Sequence, residues 1–247
     1  DLKKCVVIQH GISNISSPLQ GEVRRGSASV APTTPNLPAG KAGPSPQHYA
    51  GRGNPYLLAI GVNGPHRNTA RLLQAFSTLV TQYGYMGDLI VVGNTGLPTW
   101  HRELEGLVQS LELHGRVMFK GEVPHREIGL YFRHADVFVF PSIEETFGIP
   151  LIEAMSFGVP VVASDCDLDP SHLGKCFNPF REICGEAAQY FNPFDAKDIA
   201  QCVNRMLTDS ALRARLVALG KAQAKKYDLE NTARALVQLF DTIVSPH

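Results

Sequence analysis

Apolar runs alternate with helix-like periodicity along most of the chain. After the run YLLAIG, apolar side chains recur at the i, i+3, i+4, i+7 spacing of an amphipathic helix, at Leu72, Ala75, Phe76, Leu79 and Val80. The runs DLIVVG, RVMFKG, DVFVF and PVVAS follow, and AAQYF is a short sixth candidate. Strands this apolar are covered on both faces, as in a parallel sheet with right-handed crossovers. The pattern predicts an α/β fold with a doubly wound, Rossmann-like sheet.

The last quarter of the chain has the periodicity of helices. Three are expected at about 195–207, 209–226 and 229–244, and the preceding residues 165–181 are predicted to form a loop. The last helix is amphipathic, with an apolar stripe of Ala233, Leu236, Val237, Phe240 and Val244. This stripe needs a surface to pack against, which is either the chain's own core or another domain.

Residues 13–54 differ from the rest, because they lack hydrophobic periodicity and are rich in Pro, Gly, Ser, Thr and Ala. We expect a disordered linker or insertion, with a binding tail as the alternative. The chain then divides into a strand at 1–12 that leads into the domain, this segment, a Rossmann-like domain at 55–228 and a C-terminal helix at 229–247. It begins at Asp1 rather than Met, which is compatible with a fragment of a longer protein.

Composition excludes several classes of function. The 23 basic and 23 acidic side chains balance, which argues against binding to nucleic acid or anionic lipid. No apolar run reaches the ~20 residues of a membrane span, and no signal peptide is visible. The five cysteines are scattered without a C-x-x-C pair, which favours reduced thiols over a zinc site or disulfide framework. We expect a cytoplasmic location, with peripheral attachment to a membrane as an alternative.

The stretch IGVNGPHRN places Arg67 in a glycine-containing turn between a strand and a helix. The start of a helix favours anions through its free amides and its dipole, and a guanidinium adds a bidentate partner for phosphate oxygens. This turn therefore predicts phosphate binding. It lacks the G-x-G-x-x-G pattern, which argues against a nicotinamide-dependent dehydrogenase.

Two carboxylates, Glu145 and Glu153, lie at the junction between the fourth strand and the following helix, in EETFGIPLIEA. Ligands collect at this edge of open α/β sheets. A nucleotide diphosphate sugar could place its diphosphate on the amides of residues 149–151, with ribose and sugar hydroxyls toward the two acids. Gly148 permits close backbone approach, and Pro150 suits the first helical turn. Spacing alone equally allows two solvated surface acids.

The stretch FPSIEETFGIPLIEAMSFGVPVVASD closely resembles the E-x7-E signature of retaining glycosyltransferases of the GT-B fold, family 4 especially. VIQHGI, GPHRN, LIVVGN and RVMFKGEVPHREIGLYFRHADVFVFPS resemble further landmarks of these enzymes, in the same order. The resemblance covers about residues 5–12 and 55–244, and it implies the C-terminal, nucleotide-sugar-binding half of a GT-B fold.

The resemblance implies a role for each matching residue. Arg67 takes the place of the Lys that contacts the donor diphosphate, Glu153 holds the ribose hydroxyls, and Glu145 contacts the transferred sugar. The remaining donor-binding positions implied are Gly61, Gly93, Gly121, Val123, Phe147, Gly148, Ile149, Pro150 and Leu151. The implied reaction transfers a sugar from its nucleotide diphosphate to an acceptor hydroxyl with retention. It needs no metal or other cofactor, because positive charge and amide dipoles stabilise the departing diphosphate.

The chain departs from the family pattern in several places. Val62 stands where many relatives have an Arg, Arg67 replaces Lys, and DLDPSHLGKC lengthens the loop before Glu182. The resemblance implies a further, N-terminal domain that recognises the acceptor and supplies a catalytic His, and neither His10 nor His66 is placed to replace that His. We therefore expect an acceptor domain as partner, in cis or in trans. The alternatives are a non-catalytic nucleotide-sugar-binding remnant and a sugar-nucleotide epimerase, against which the Phe-Gly-x-Pro pattern speaks. The donor base, the sugar and the acceptor do not follow from the sequence.

Overall fold

The computed structural model describes residues 55–61, 64–94, 98–169, 171 and 176–244. Predictions for residues 1–54 and for Val62 lie outside the described residues. The described part forms a parallel sheet with helices on both faces, which confirms the predicted fold class. Its six strands are β1 Tyr56–Ile60, β2 Asp88–Val92, β3 Val117–Phe119, β4 Val137–Phe140, β5 Val161–Ser164 and β6 Ala188–Phe191.

The strand order is β3-β2-β1-β4-β5-β6, and every pairing between neighbours is parallel. The order reverses between β1 and β4. At such a switch point the connections leave the two strands in opposite directions, and a crevice opens beyond their carboxyl ends. The topology therefore puts a candidate ligand site after Ile60 and Phe140.

The helices of the described chain match the periodicity of the sequence. The segment predicted as a loop at 165–181 is more regular than expected, since it contains a 3-10 turn, Cys166–Leu168, and the first residues of α5. A second 3-10 turn, Pro65–Arg67, precedes α1. The helices are α1 Thr69–Gln82, α2 Pro98–Ser110, α3 His125–His134, α4 Ile149–Ser156, α5 Phe180–Cys184, α6 Ala196–Thr208, α7 Ser210–Ala224 and α8 Leu229–Val244.

Two hydrophobic cores lie on opposite faces of the sheet. Side chains of β1 alternate between them: Tyr56 and Leu58 belong to one core, and Leu57 and Ala59 to the other. The first core packs against α3, α4 and α5, and the second against α1 and α6. This two-sided burial explains why the strands are mostly apolar along their length rather than at alternate positions only.

Helix α8 leaves much of its apolar stripe uncovered. Val237 and Phe240 are each 58% exposed, and Ile243 is 67% exposed. Packing of this stripe on the chain's own core, one of the two predicted arrangements, is therefore not observed for these side chains. No helix in the described ranges combines the length and the hydropathy needed to cross a membrane.

The expectation that all cysteines are reduced thiols is wrong for one pair. Cys166 and Cys176 form a disulfide, with their Cα atoms 5.4 Å apart. Their separation of 10 residues in the sequence does not by itself indicate this pairing. Cys184 and Cys202 are free and buried, and burial raises the pKa of each thiol to about 12. Cys5 lies outside the described residues.

Glycine at position 93 is required by contact between neighbouring loops. A Cβ there would lie 2.0 Å from the carbonyl oxygen of Gly61, and its φ of +135° disfavours other residues. We expect Gly93→Ala to lower the free energy of unfolding by more than about 2 kcal/mol. Urea denaturation followed by circular dichroism measures this.

The matched control is Gly106→Ala on the exposed face of α2, where an added Cβ meets nothing within 4 Å. That variant is expected to gain about 0.5–1 kcal/mol, as for Gly to Ala in a helix interior. Equal stability of the two variants would contradict the close approach of the two loops.

Candidate functional site

The candidate site lies at the carboxyl ends of β1 and β4. After β1, the turn Pro65–Arg67 leads into α1, with Asn68 in the left-handed conformation between them. After β4, the chain continues through Ser142 and Ile143. The amide of Ile143 donates to the carbonyl oxygen of His66 at 2.8 Å, and the Ser142 hydroxyl donates to the same oxygen at 3.3 Å. The Arg67 turn and the segment after β4 are therefore directly joined.

Arg67 and Glu145 meet across this junction in an ion pair between Nη1 and Oε2. The two side chains are only 21% and 15% exposed, so solvent screens their attraction less than at an open surface. The guanidinium carbon lies 5.9 Å from the centre of the Phe140 ring. Arg67 Nε is buried and has no hydrogen-bond partner among the described residues. No described residue therefore satisfies this donor of the guanidinium.

A small recess borders Arg67 on the sheet side. Its lining includes Gly61, Thr69, Phe140 and Ser142. A Cβ added to Gly61 would lie 3.2 Å from Arg67 Nε, so the absence of a side chain leaves room for the guanidinium. Gly61 therefore acts on the position of Arg67 as well as on the shape of the strand end.

Glycines follow three neighbouring strands at this edge: Gly61 after β1, Gly93 after β2 and Gly121 after β3. All three have positive φ angles. The amide of Gly61 donates to Val92 O at 2.9 Å, and the amide of Gly93 donates to Gly121 O at 2.8 Å. These loops therefore lie side by side with peptide groups in contact. Their predicted role in binding a donor stays a prediction.

Helix α4 begins directly after Gly148, whose φ of +97° sets the direction of the turn. A Cβ there would lie 3.0 Å from Leu151 Cδ1 and 3.1 Å from Phe180 Cε1. Not every residue of 149–151 has a free amide for the predicted binding of a diphosphate. Pro150 has no N–H, and the amide of Leu151 donates to Gly148 O at 2.9 Å. Ile149, 46% exposed, is the member of the three whose amide fits the predicted role.

Glu153 lies in α4 and is only 8% exposed, so the alternative of a solvated surface acid is wrong for this residue. Burial raises the pKa of its carboxyl, and the charge of His125 opposes that shift. His125 opens α3, just after the Gly121–Val123 loop. No ion pair joins Glu153 to Arg67. The structure brings Arg67 and Glu145 into contact, whereas the charge that acts on the Glu153 carboxyl is that of His125.

Phe147 connects these two regions. It packs against the same core as Val123, and its ring lies 5.9 Å from that of Tyr227 in an edge-to-face arrangement. The backbone of Phe147 thus lies between Glu145 and the start of α4, supported from below by the core. This placement is compatible with the donor-binding role predicted for Phe147, which stays a prediction.

Sequence reasoning missed the contacts behind Glu145. The amide of Glu145 donates to Phe177 O at 3.0 Å, and the amide of Phe177 donates to Ile143 O at 2.8 Å, so Phe177 pairs with this segment like a strand. Asn178 lies against Ser142 O from the same loop. The only sequence signal is the pair of cysteines, Cys166 just before the lengthened loop DLDPSHLGKC and Cys176 at its end, and the scattered spacing of the cysteines favours free thiols instead.

Comparison with known proteins identifies relatives of this arrangement. Residues 45–223 match the family described as Glycosyl transferases group 1. The chain is 32% identical over 186 residues to O-antigen chain mannosyltransferase B of Escherichia coli, a match that covers 75% of this chain and 45% of that protein. It therefore spans about half the length of this relative.

Solved structures share the fold. Sucrose-phosphate synthase from Thermosynechococcus elongatus is 30% identical with a TM-score of 0.63, and the match covers 77% of this chain and 45% of that one. HepE from Anabaena, solved in complex with UDP and glucose, is 20% identical with a TM-score of 0.65, covering 79% of this chain and 50% of that one. At this identity the second match supports the fold alone.

Glu153 should make stability depend on pH. Its pKa in the folded protein is raised above the ordinary value of 4.5, so the folded state binds more protons than the unfolded state between these two pKa values. Stability from this group is present below the unfolded pKa and is lost as pH rises through the folded pKa. We expect Glu153→Gln to be more stable than the parent at pH 7 to 8, with the difference closing toward pH 4.

Thermal unfolding followed by circular dichroism across this pH range measures the effect. Glu103→Gln, an exposed change of the same kind on α2, is the matched control and should show no such pH dependence. A Glu153→Gln variant less stable than the parent at pH 8 would contradict a carboxylate that burial destabilises.

Proposed function

We propose that this chain, which belongs to the glycosyl transferases group 1 family, is the half of a retaining glycosyltransferase that binds a nucleotide diphosphate sugar. The observation that carries the proposal is the Arg67–Glu145 pair at the switch point of the sheet, beside the start of α4. This pair presents a cation for phosphate and a carboxylate for sugar hydroxyls within one crevice.

Arg67 is the proposed ligand of the donor diphosphate. A guanidinium binds phosphate oxygens in a bidentate manner, and its Nε still lacks a partner among the described residues. The nearby start of α4 adds positive potential from backbone dipoles. Negative charge grows on the diphosphate as the bond to the sugar breaks, so these groups stabilise the transition state more than the ground state. We propose that this positive potential replaces a divalent metal.

Glu145 exchanges partners when the donor binds. In the structure its carboxylate pairs with Arg67. Phosphate oxygens compete for the same guanidinium, and the released carboxylate can then accept hydrogen bonds from the sugar. This exchange keeps the buried charge of Arg67 compensated in both states, since an uncompensated buried ion is costly.

Glu153 and the glycine loops form the nucleoside end of the proposed site. The buried carboxylate of Glu153 accepts the ribose hydroxyls, which replace part of the solvation that burial removes. The backbone near Gly121 and Val123 contacts the base. The mannosyltransferase relative supports a hexose as the transferred sugar.

An N-terminal acceptor domain completes the proposed enzyme, in the same polypeptide or as a second chain. The match to the mannosyltransferase covers less than half of that protein, which leaves room for such a domain. The exposed apolar stripe of α8, at Val237, Phe240 and Ile243, offers it a surface. We propose that transfer to an acceptor hydroxyl requires both halves, and the chain alone is expected to bind donor without transferring sugar.

Isothermal titration with UDP and GDP tests the diphosphate site. The parent chain is expected to bind at least one of them, and Arg67→Ala should weaken that affinity at least about tenfold through loss of a charge-assisted bidentate contact. Arg102→Ala, which removes an exposed guanidinium from α2, is the matched control and should bind like the parent. Failure of both nucleotides to bind the parent, or equal affinity of the two variants, would overturn the proposal.

Glu145→Gln separates the two roles of the ion pair. It removes the carboxylate that competes with phosphate for Arg67, so UDP or GDP should bind the same or up to about fivefold more tightly. The extra affinity of the corresponding nucleotide sugar over the nucleotide should disappear. Titration of each nucleotide with and without its sugar measures this, and a large loss of nucleotide affinity would contradict the exchange of partners.

A further inference from the structure

We propose that the Cys166–Cys176 disulfide positions Glu145 and makes the sugar end of the site sensitive to dithiol reductants. The inference rests on the proposed function of Glu145 as the carboxylate that meets the transferred sugar. Its geometric basis is independent of that function, because the cystine loop and the Glu145 segment are hydrogen-bonded to each other along their backbones.

The disulfide lies one residue from the contact with the site. Immediately after Cys176, Phe177 forms a parallel bridge with Glu144. Its amide donates to Ile143 O at 2.8 Å, and its carbonyl oxygen accepts from the amide of Glu145 at 3.0 Å. The backbone of Glu145 is therefore held by the residue that follows the second cysteine, while its side chain is held by Arg67.

The first cysteine approaches the same segment. Cys166 Sγ lies 3.9 Å from Ile143 O. The side-chain amide nitrogen of Asn178 lies 2.9 Å from Cys166 Sγ, 3.2 Å from Ser164 Oγ and 3.5 Å from Ser142 O. Both ends of the cystine loop thus converge on residues 142–145, and the covalent bond ties them into one unit with that segment.

Other contacts hold the ends of the loop without the disulfide. Asp165, only 3% exposed, pairs with Arg181 and accepts from the amide of Asp167 at 3.0 Å. The amide of Asp165 donates to Phe191 O at 2.9 Å. These contacts anchor the residue that precedes Cys166 to β6 and α5. Loss of the disulfide is therefore expected to loosen Phe177 and Glu145 locally rather than to unfold the domain.

The chemistry is thiol–disulfide exchange. A dithiol attacks the Cys166–Cys176 bond through a mixed disulfide, and its second thiol releases the protein. The protein gains two electrons and two protons as two thiols, and the dithiol becomes a disulfide. Opening the ring of the loop then allows Phe177 more conformations, since the closure that restricted them is gone. The backbone that carries the Glu145 carboxylate is then less restrained. Arg67 keeps its position, because it lies in its own turn at Pro65–Arg67.

The first test measures backbone protection in the full chain without any nucleotide. Hydrogen exchange, read by mass spectrometry, is compared before and after incubation with dithiothreitol. The amides of Glu145 and Phe177 are expected to exchange at least about tenfold faster after reduction, while those of β1 and β2 stay unchanged. Peptide mapping without reductant must recover the 166–176 cross-link in the untreated sample, and its absence there would overturn the proposal.

Two variants isolate the disulfide. Cys166→Ser/Cys176→Ser should exchange like the reduced parent and should not respond to dithiothreitol. Cys184→Ala, which removes a buried free thiol outside the loop, should respond like the parent. Equal protection of Glu145 in the oxidised and reduced parent overturns the inference, and global loss of protection in the double variant would show a structural role instead.

The second test measures affinity in both redox states. UDP and UDP-glucose, or GDP and GDP-mannose, are titrated into oxidised and reduced chain. Reduction is expected to leave the nucleotide affinity within about twofold and to lower the preference for the nucleotide sugar about fivefold to tenfold. Binding that is equal in both states overturns the inference but leaves the proposed function intact. Absence of nucleotide binding in both states overturns the proposed function, while the exchange experiment still decides whether the disulfide positions Glu145.

Discussion

A backbone hydrogen bond from Ile143 N to His66 O joins the segments that follow β1 and β4, at the edge of the sheet where the crevice lies. The connections from β1 and β4 leave the switch point in opposite directions, so nothing in the sheet itself keeps their next residues together. The bond aligns the turn that carries Arg67 with the segment that carries Glu145. The ion pair, the recess beside Gly61 and the pairing with Phe177 all depend on this alignment.

The site combines polar groups that are costly to bury. Glu153 is buried with a raised pKa, and Arg67 carries an unpartnered Nε. The core below compensates for them, since α4 packs Leu151, Ile152 and Met155 against the sheet and carries Glu153 with them. Such a distribution, with apolar packing below and unsatisfied polar groups above, is typical of a surface prepared for a ligand.

The strands could be predicted from local pattern, whereas the two acids needed the resemblance to a known signature. Continuous apolar runs identified the strands and the glycine turn indicated Arg67, but the spacing of Glu145 and Glu153 alone equally allowed two surface acids. The disulfide escaped prediction because it depends on the path of a loop with no periodicity. The hydrogen bond from Leu151 to Gly148 also escaped, because it depends on the left-handed conformation of one glycine. Burial of Glu153 required knowing that α4 turns that face inward.

This edge of the sheet exposes backbone without side chains, because Gly61, Gly93 and Gly121 lie next to one another there. Any molecule resting there touches amides and carbonyls whose positions are set by strand register rather than by side-chain identity. The selectivity of such a backbone surface for a ligand comes from the shape of the surface. Replacing individual side chains nearby should alter this selectivity little. A change of ligand would require loops of different length.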